Sequence, residues 1–179
     1  MNHIKTIKYF LIVIIFFSNF KCITRMKIEI YELKKYYQIC KQGILINKKH
    51  FEKIDKPKIS IIVPVYNREK YILRFLRSIQ NQGFDDIEII FVDDFSEDNS
   101  VKLIENFQKE DERIILIKHN KNKGTLISRN HGAIIARGEY IMLPDPDDIL
   151  SENILKVCYE LAKKNKLEMI RYNINIFRK

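Results

Sequence analysis

From Lys58 onward, short unbroken apolar runs alternate with longer stretches in which apolar side chains return every three or four positions. Ile59 to Val65 is the first run, stopped by Pro64, Tyr66 and Asn67. Glu69 to Asn81 follows, with Ile72, Phe75, Leu76 and Ile79 on one helical face. Ile87 to Val92 predicts a second strand ending in Asp93 and Asp94, and Ser96 with Asp98 supplies cap chemistry for a helix through Val101, Ile104 and Phe107. Arg113 to Lys118 predicts a third strand, and Gly124 to Ala136 a helix closed by Gly138. Glu139 to Leu143 predicts a buried fourth strand. Ile154, Val157, Cys158 and Leu161 line a last helix, and Glu168 to Ile176 reads as a further strand. Strands that are apolar throughout are covered on both sides, and strands separated by helices run parallel. The expected fold class is therefore α/β, a mostly parallel sheet covered by helices on both faces.

The pattern before Lys58 is different. Met26, Ile30, Leu33, Tyr37, Cys40 and Ile44 recur at alternating steps of four and three, a helical stripe too short for a sustained coiled coil. A stem helix lying against the domain is the preferred reading, with Gly43 at its end and a charged, unpatterned linker from Asn47 to Pro57. Further upstream, Lys5 and Lys8 precede the apolar run Tyr9 to Phe17. That is the layout of a signal peptide. A bilayer-spanning helix needs about 20 apolar residues, so an uncleaved signal anchor is the alternative. Either one sends the chain into the secretory pathway, to the lumen of the endoplasmic reticulum or Golgi or to a membrane there. The expected organisation is thus a signal peptide or anchor at 1–22, a helical stem and linker at 23–57, and one domain at 58–179.

Charge sharpens this division. All of the net charge of +9 lies in the first 60 residues, while residues 61 to 179 carry 19 basic and 19 acidic side chains. A neutral domain lacks the electrostatic footprint of a nucleic-acid binder, so nucleic acid is not an expected partner. Membrane association through the basic and apolar N-terminus is. Cys22, Cys40 and Cys158 show no metal-ligand spacing, and Cys158 falls on the apolar helix face as a core residue.

The candidate chemistry lies where the apolar runs stop. In open parallel sheets ligands bind beyond the carboxyl ends of the strands. Pro64 to Asn67, Asp93 to Ser96 and Asp145 to Asp148 occupy three such ends. Pro144 and Pro146 stiffen the last of these. Three carboxylates within four residues repel one another, and a divalent cation relieves the repulsion. Mg²⁺ and Mn²⁺ take one or two carboxylates, with water and phosphate oxygens completing the shell. The other reading is an acidic turn in which Asp148 or Ser151 caps the next helix. A dinucleotide-binding unit is excluded by the lack of glycine between Pro64 and Lys70, and a phosphate-binding loop because Lys123-Gly124-Thr125 has the wrong order.

Ile61-Ile-Val-Pro-Val-Tyr-Asn67, Phe91-Val-Asp-Asp-Phe-Ser-Glu-Asp98, Lys123-Gly124 with Ser128-Arg-Asn130, and Gly138-Glu-Tyr140 leading to Asp145-Pro-Asp-Asp148 resemble the family 2 glycosyltransferases. The resemblance covers about Lys58 to Phe177. It implies a Rossmann-like sheet of glycosyltransferase A type, C-terminally incomplete in this chain, and transfer with inversion from a nucleotide-diphosphate sugar, UDP-linked by first choice. It places Pro64, Val65, Tyr66 and Asn67 around the nucleoside and makes Asp93 or Asp94 the partner of the base. Arg129 then lies near the base or diphosphate, Asp145 faces the ribose or metal, and Asp147 holds the Mn²⁺ or Mg²⁺ that bridges the diphosphate. The acceptor is a glycan, protein or lipid.

Two departures accompany the resemblance. Pro144 and Pro146 replace the family's usual apolar and small polar residues. The acid that deprotonates the acceptor is not evident, since Glu152, Glu160 and Glu168 fall on a helix or at a strand start. A non-catalytic nucleotide-sugar-binding module is therefore the alternative function. A nucleotidyltransferase-like enzyme is a third, for which Arg68 and Lys70 make a weak diphosphate loop. His50, His119 and His131 have no part in these motifs and read as structural.

Overall fold

The computed structural model describes residues 56–170, so the expected signal segment and almost all of the stem and linker lie outside the described residues. Four parallel strands form one sheet: β1 (Ile59–Val65), β2 (Ile87–Asp93), β3 (Ile114–Lys118) and β4 (Tyr140–Met142), in the order β3-β2-β1-β4. The connecting helices are α1 (Glu69–Gln80), α2 (Ser100–Glu110) and α3 (Thr125–Ile135), and α4 (Ile154–Asn165) follows β4. Every residue of β1 and β2 is buried, including the polar Ser60, Glu88 and Asp93 among their apolar neighbours.

Alternation along the strands sorts the core into two layers. Ile59, Ile61, Val63 and Val65 point toward Ile72, Phe75, Leu76 and Ile79 of α1 and Ile104 of α2, with Leu155 of α4 in the same layer. Phe75 and Phe91 meet edge to face, with centroids 6.2 Å apart. On the other face Ile62, Ile90, Val92, Ile115 and Ile117 pack on Ile135 of α3. Gly132 lets α3 come close, because a Cβ there would collide with Ile62.

The loops after β1 and β2 cap each other's helices. Asp98 accepts the backbone N–H of Ser100 at 2.9 Å and that of Glu69 at 3.0 Å, while the Glu69 carboxylate accepts Asn99 N–H. Asp98 supplies the expected cap to α2, and it serves α1 as well. Ser96 instead accepts the N–H of Asn67.

Two expectations change. β4 is half-buried and only three residues long, and among the described strands it pairs with β1 alone. On α4 the buried residues are Leu155 and Ala162, with Cys158 and Tyr159 half-buried, while Val157 and Leu161 are each 46% exposed. The helix is rotated by one residue, about 100°, from the expected face. Tyr159 decides the rotation: its ring meets Tyr140 and Phe84 and its hydroxyl donates to Glu139 at 3.0 Å. Residues 168–170 are not strand, and the remainder of the expected strand lies outside the described residues.

One buried charge sets the position of β4. Glu88, fully buried in β2, accepts Ser60 O–H and Arg137 N–H at 2.6 Å each, and Arg137 Nη2 donates to its other oxygen at 2.9 Å. Gly138 N–H then donates to Ser60 Oγ at 2.8 Å, and a Cβ on Gly138 would lie 2.5 Å from Ser60 N. Glu88→Gln should lower the stability of the protein by roughly 2–3 kcal/mol through loss of charged hydrogen bonds, and Gly138→Ala by about 1–3 kcal/mol through the collision. Urea unfolding midpoints check both.

Candidate functional site

The chain runs β1, β2, β3 outward in one direction and then returns through α3 to place β4 on the other side of β1. The helices leaving β1 and entering β4 consequently lie on opposite faces, and a crevice opens at the carboxyl ends of these two strands. A cavity of about 290 Å³ occupies it. Pro64, Val65, Tyr66 and Arg68 line it from the end of β1, Asp94 from the end of β2, Thr125, Ser128 and Arg129 from α3, and Asp145, Pro146 and Asp147 from the loop after β4. The expected residues Asn67 and Asp93 are not in its wall. A mostly apolar cavity of about 120 Å³ between β4 and α4 contains none of the site residues named from the sequence.

The three acids of the last loop separate into different roles. Asp148 closes the turn on itself: its carboxylate accepts Asp145 N–H at 2.9 Å and its own N–H donates to Asp145 O at 3.1 Å. The N-cap of α4 is Asn153 without a side-chain bond, so neither Asp148 nor Ser151 caps that helix. Asp145 and Asp147 remain directed at the cavity. Arg129 Nη2 reaches Asp145 Oδ1 at 2.8 Å, and Arg74 of α1 holds the Asp147 carbonyl at 3.3 Å. Among the described residues no group of three or more His, Cys, Asp or Glu could by itself hold a metal ion. Two carboxylates fit a cation that completes its shell with phosphate oxygens and water. Arg129 Nε is buried without a partner, so a donor suited to a phosphate oxygen stands free beside the acids.

The loops after β1 and β2 are equally specific. Tyr66 and Phe95 are both largely exposed aromatics, and Phe95 holds φ +70°, a left-handed backbone that costs a bulky residue on the order of 1–2 kcal/mol. Asn67, at φ +52°, ties the loops together: its N–H donates to Ser96 Oγ and its side-chain oxygen accepts Glu97 N–H. Asp93 accepts Ser96 N–H with one oxygen and leaves Oδ1 buried without a partner. Burial raises its carboxyl above the usual value, and the Ser96 bonds offset this in part.

Asp94 is surrounded by donors. Its carboxylate takes the N–H groups of Lys123 at 2.8 Å and Gly124 at 2.7 Å, and His119 Nδ1 lies 2.7 Å away. Burial pushes its carboxyl up, and these donors outweigh that push, leaving it below the usual value. His119 Nε2 in turn meets His131 Nδ1 of α3 at 2.8 Å. Sequence reasoning had read both histidines as structural and missed this chain. The available signal was register: Asp93 pairs with Lys118, so the next residues, Asp94 and His119, end neighbouring strands at one level.

His131 titrates at about 4 instead of 6.5, because burial, and then His119 and Lys123, disfavour its cation. Between these values the unfolded chain binds a proton that the folded chain does not, so stability should fall as pH drops from 6.5 toward 4. The whole window is worth about 3 kcal/mol. The lowered carboxyls of Asp94, Asp98 and Asp111 act below 3.8 and do not overlap it. The difference in urea midpoint between pH 7 and pH 4.5 should shrink in His131→Asn.

The family profile described as glycosyl transferase family 2 matches residues 60–177. Glycosyltransferase GlyG of Streptococcus pneumoniae is 35% identical over 112 residues, covering 63% of this chain and 37% of its own length. A GalNAc(5)-diNAcBac-PP-undecaprenol beta-1,3-glucosyltransferase of Campylobacter jejuni is 38% identical over 109 residues, or 60% and 35% of the two chains. Among solved structures, S. aureus TarS 1–349 in complex with UDP is similar at a TM-score of 0.58 and 30% identity, over 61% of this chain and 33% of that one. The chain thus spans about a third of the length of these relatives. With the parallel sheet, the switch-point crevice and the motif residues gathered there, the chain belongs to glycosyltransferase family 2 and has the glycosyltransferase A fold.

Proposed function

We propose that this chain binds a UDP-linked sugar together with Mn²⁺ or Mg²⁺ and forms the donor-binding part of an inverting glycosyltransferase. The observation that carries this reading is the convergence of Asp94, Arg129, Asp145 and Asp147 on one cavity at the switch point. Asp94, which lines the cavity, offers an acceptor to the imide N–H of uracil. The guanidinium of Arg129, a residue of the cavity wall, is suited to a diphosphate oxygen. Asp147, with Asp145, is suited to hold the cation, which when bound offsets the charge that develops on the leaving diphosphate.

Transfer joins the acceptor oxygen to the anomeric carbon from the side opposite the bond to the diphosphate. That bond breaks with its electron pair on phosphate oxygen, and the hydroxyl proton passes to a base. Glu152, Glu160 and Glu168 are all exposed and none lines the cavity. This favours, as a second reading, a domain that binds donor and transfers it slowly.

Isothermal titration with UDP, with and without Mn²⁺, tests the proposal. Asp147→Ala should remove the Mn²⁺-dependent part of binding and leave metal-free binding little changed. Arg129→Met should weaken UDP about 10- to 100-fold, the loss of a charged hydrogen bond, and leave uridine unaffected. Absence of UDP binding by the unaltered chain would exclude the nucleotide reading. A sugar-transfer assay then separates enzyme from binding module.

A further inference from the structure

The donor reading does not use the two histidines behind Asp94, yet they are among the few buried polar side chains of the domain, 5% and 3% exposed. A carboxylate has about four lone-pair positions. In Asp94 three are taken: His119 and Lys123 N–H at Oδ1, and Gly124 N–H at Oδ2. One position, on Oδ2, remains. Asp94 lines the cavity, so this is the acceptor it can offer a ligand.

Which way that oxygen points depends on His119. The two backbone donors come from one loop, Lys123 and Gly124, and fix the carboxylate only along one edge. His119, at the end of β3, supplies the third point from a different element. Its own ring is fixed in turn by His131 on α3, with the ring planes at 84° and centroids 4.8 Å apart. Asp94 accepts, so His119 carries a proton on Nδ1, and the hydrogen bond between its Nε2 and His131 Nδ1 holds the ring from its other side. The series runs His131 to His119 to Asp94, every member buried, from the middle of α3 to the cavity wall. Ser128 and Arg129, one helical turn or less from His131, line the same cavity. The relay therefore joins the helix that presents Arg129 to a carboxylate of the cavity wall.

We propose that His119 and His131 are positioning residues of the nucleotide site, which orient Asp94 so that its remaining lone pair accepts the imide N–H of a uracil base. The ligand class is a pyrimidine nucleotide carrying a ring N–H donor. The proposal rests on the donor reading above, and its test distinguishes the two.

The test is titration of the full chain and its variants with UDP and with UDP methylated at uracil N3, which keeps the phosphates and loses the donor. The unaltered chain should prefer UDP about 10-fold or more. In His119→Leu this preference should collapse toward one, chiefly by weaker UDP binding. His119→Asn places an amide N–H near the former Nδ1 position and should restore most of the preference. His131→Leu should give an intermediate loss, since His119 keeps its bond to Asp94 but loses its own support. Urea unfolding of each variant reports the fold separately. A folded His119→Leu with undiminished preference would overturn the proposal. Equal weakening of both ligands would also overturn it, since that is the effect of packing alone. Should His119→Leu fail to fold, failure of His119→Asn to keep the preference overturns it as well. If the unaltered chain binds neither ligand, the donor reading fails instead.

Discussion

A carboxylate cut off from water must be matched by its surroundings, and Glu88 is matched from three directions. Ser60 on β1, the Arg137 backbone and the Arg137 guanidinium all donate to it. Taking any one partner away leaves a buried charge short of donors. The ring of contacts leaves the chain little choice about where β4 starts, and so about how far along β1 it runs. Asp145 and Asp147 lie a few residues beyond, on a loop whose placement inherits that registration. The polar site at the carboxyl end of the sheet is thus set by a polar clamp near its amino end.

At the crevice the same electrostatic logic works in the open. Asp148 is absorbed by the turn, Asp145 is shared with Arg129, and Asp147 is left to the cavity with its carbonyl held by Arg74. Three acids in sequence become one structural acid, one paired acid and one available acid. Among the described residues two buried side-chain atoms lack a partner, and one of them, the donor Arg129 Nε, belongs to a residue of the cavity wall.

The sheet was readable from the amino-acid order where burial is two-sided, because β1 and β2 have no polar face to disguise them. The face of α4 was not, since apolar side chains occupy more than one stripe of that helix. Tertiary contacts of the Tyr159 ring selected among them. The acids and Arg129 were legible as members of spaced motifs. His119 and His131 were not, because a separation of 12 positions across loop and helix gives no periodic sign that two imidazoles will meet. Asp148 looked like its neighbours until the backbone of its turn showed which oxygen was already engaged.

The pairing of β4 with β1 has a consequence in time. Ile59 meets Ile87, a nearby stretch of chain, on one side, and Tyr140, nearly three times as distant along the chain, on the other. Closing the longer loop costs more entropy and is repaid by a three-residue strand. Strands β1 to β3 with α1 and α2 can therefore assemble as a chain emerges, while the crevice exists only after β4 docks. The same short edge would be first to open in the native state, so exchange of its amides measures how often the site comes apart.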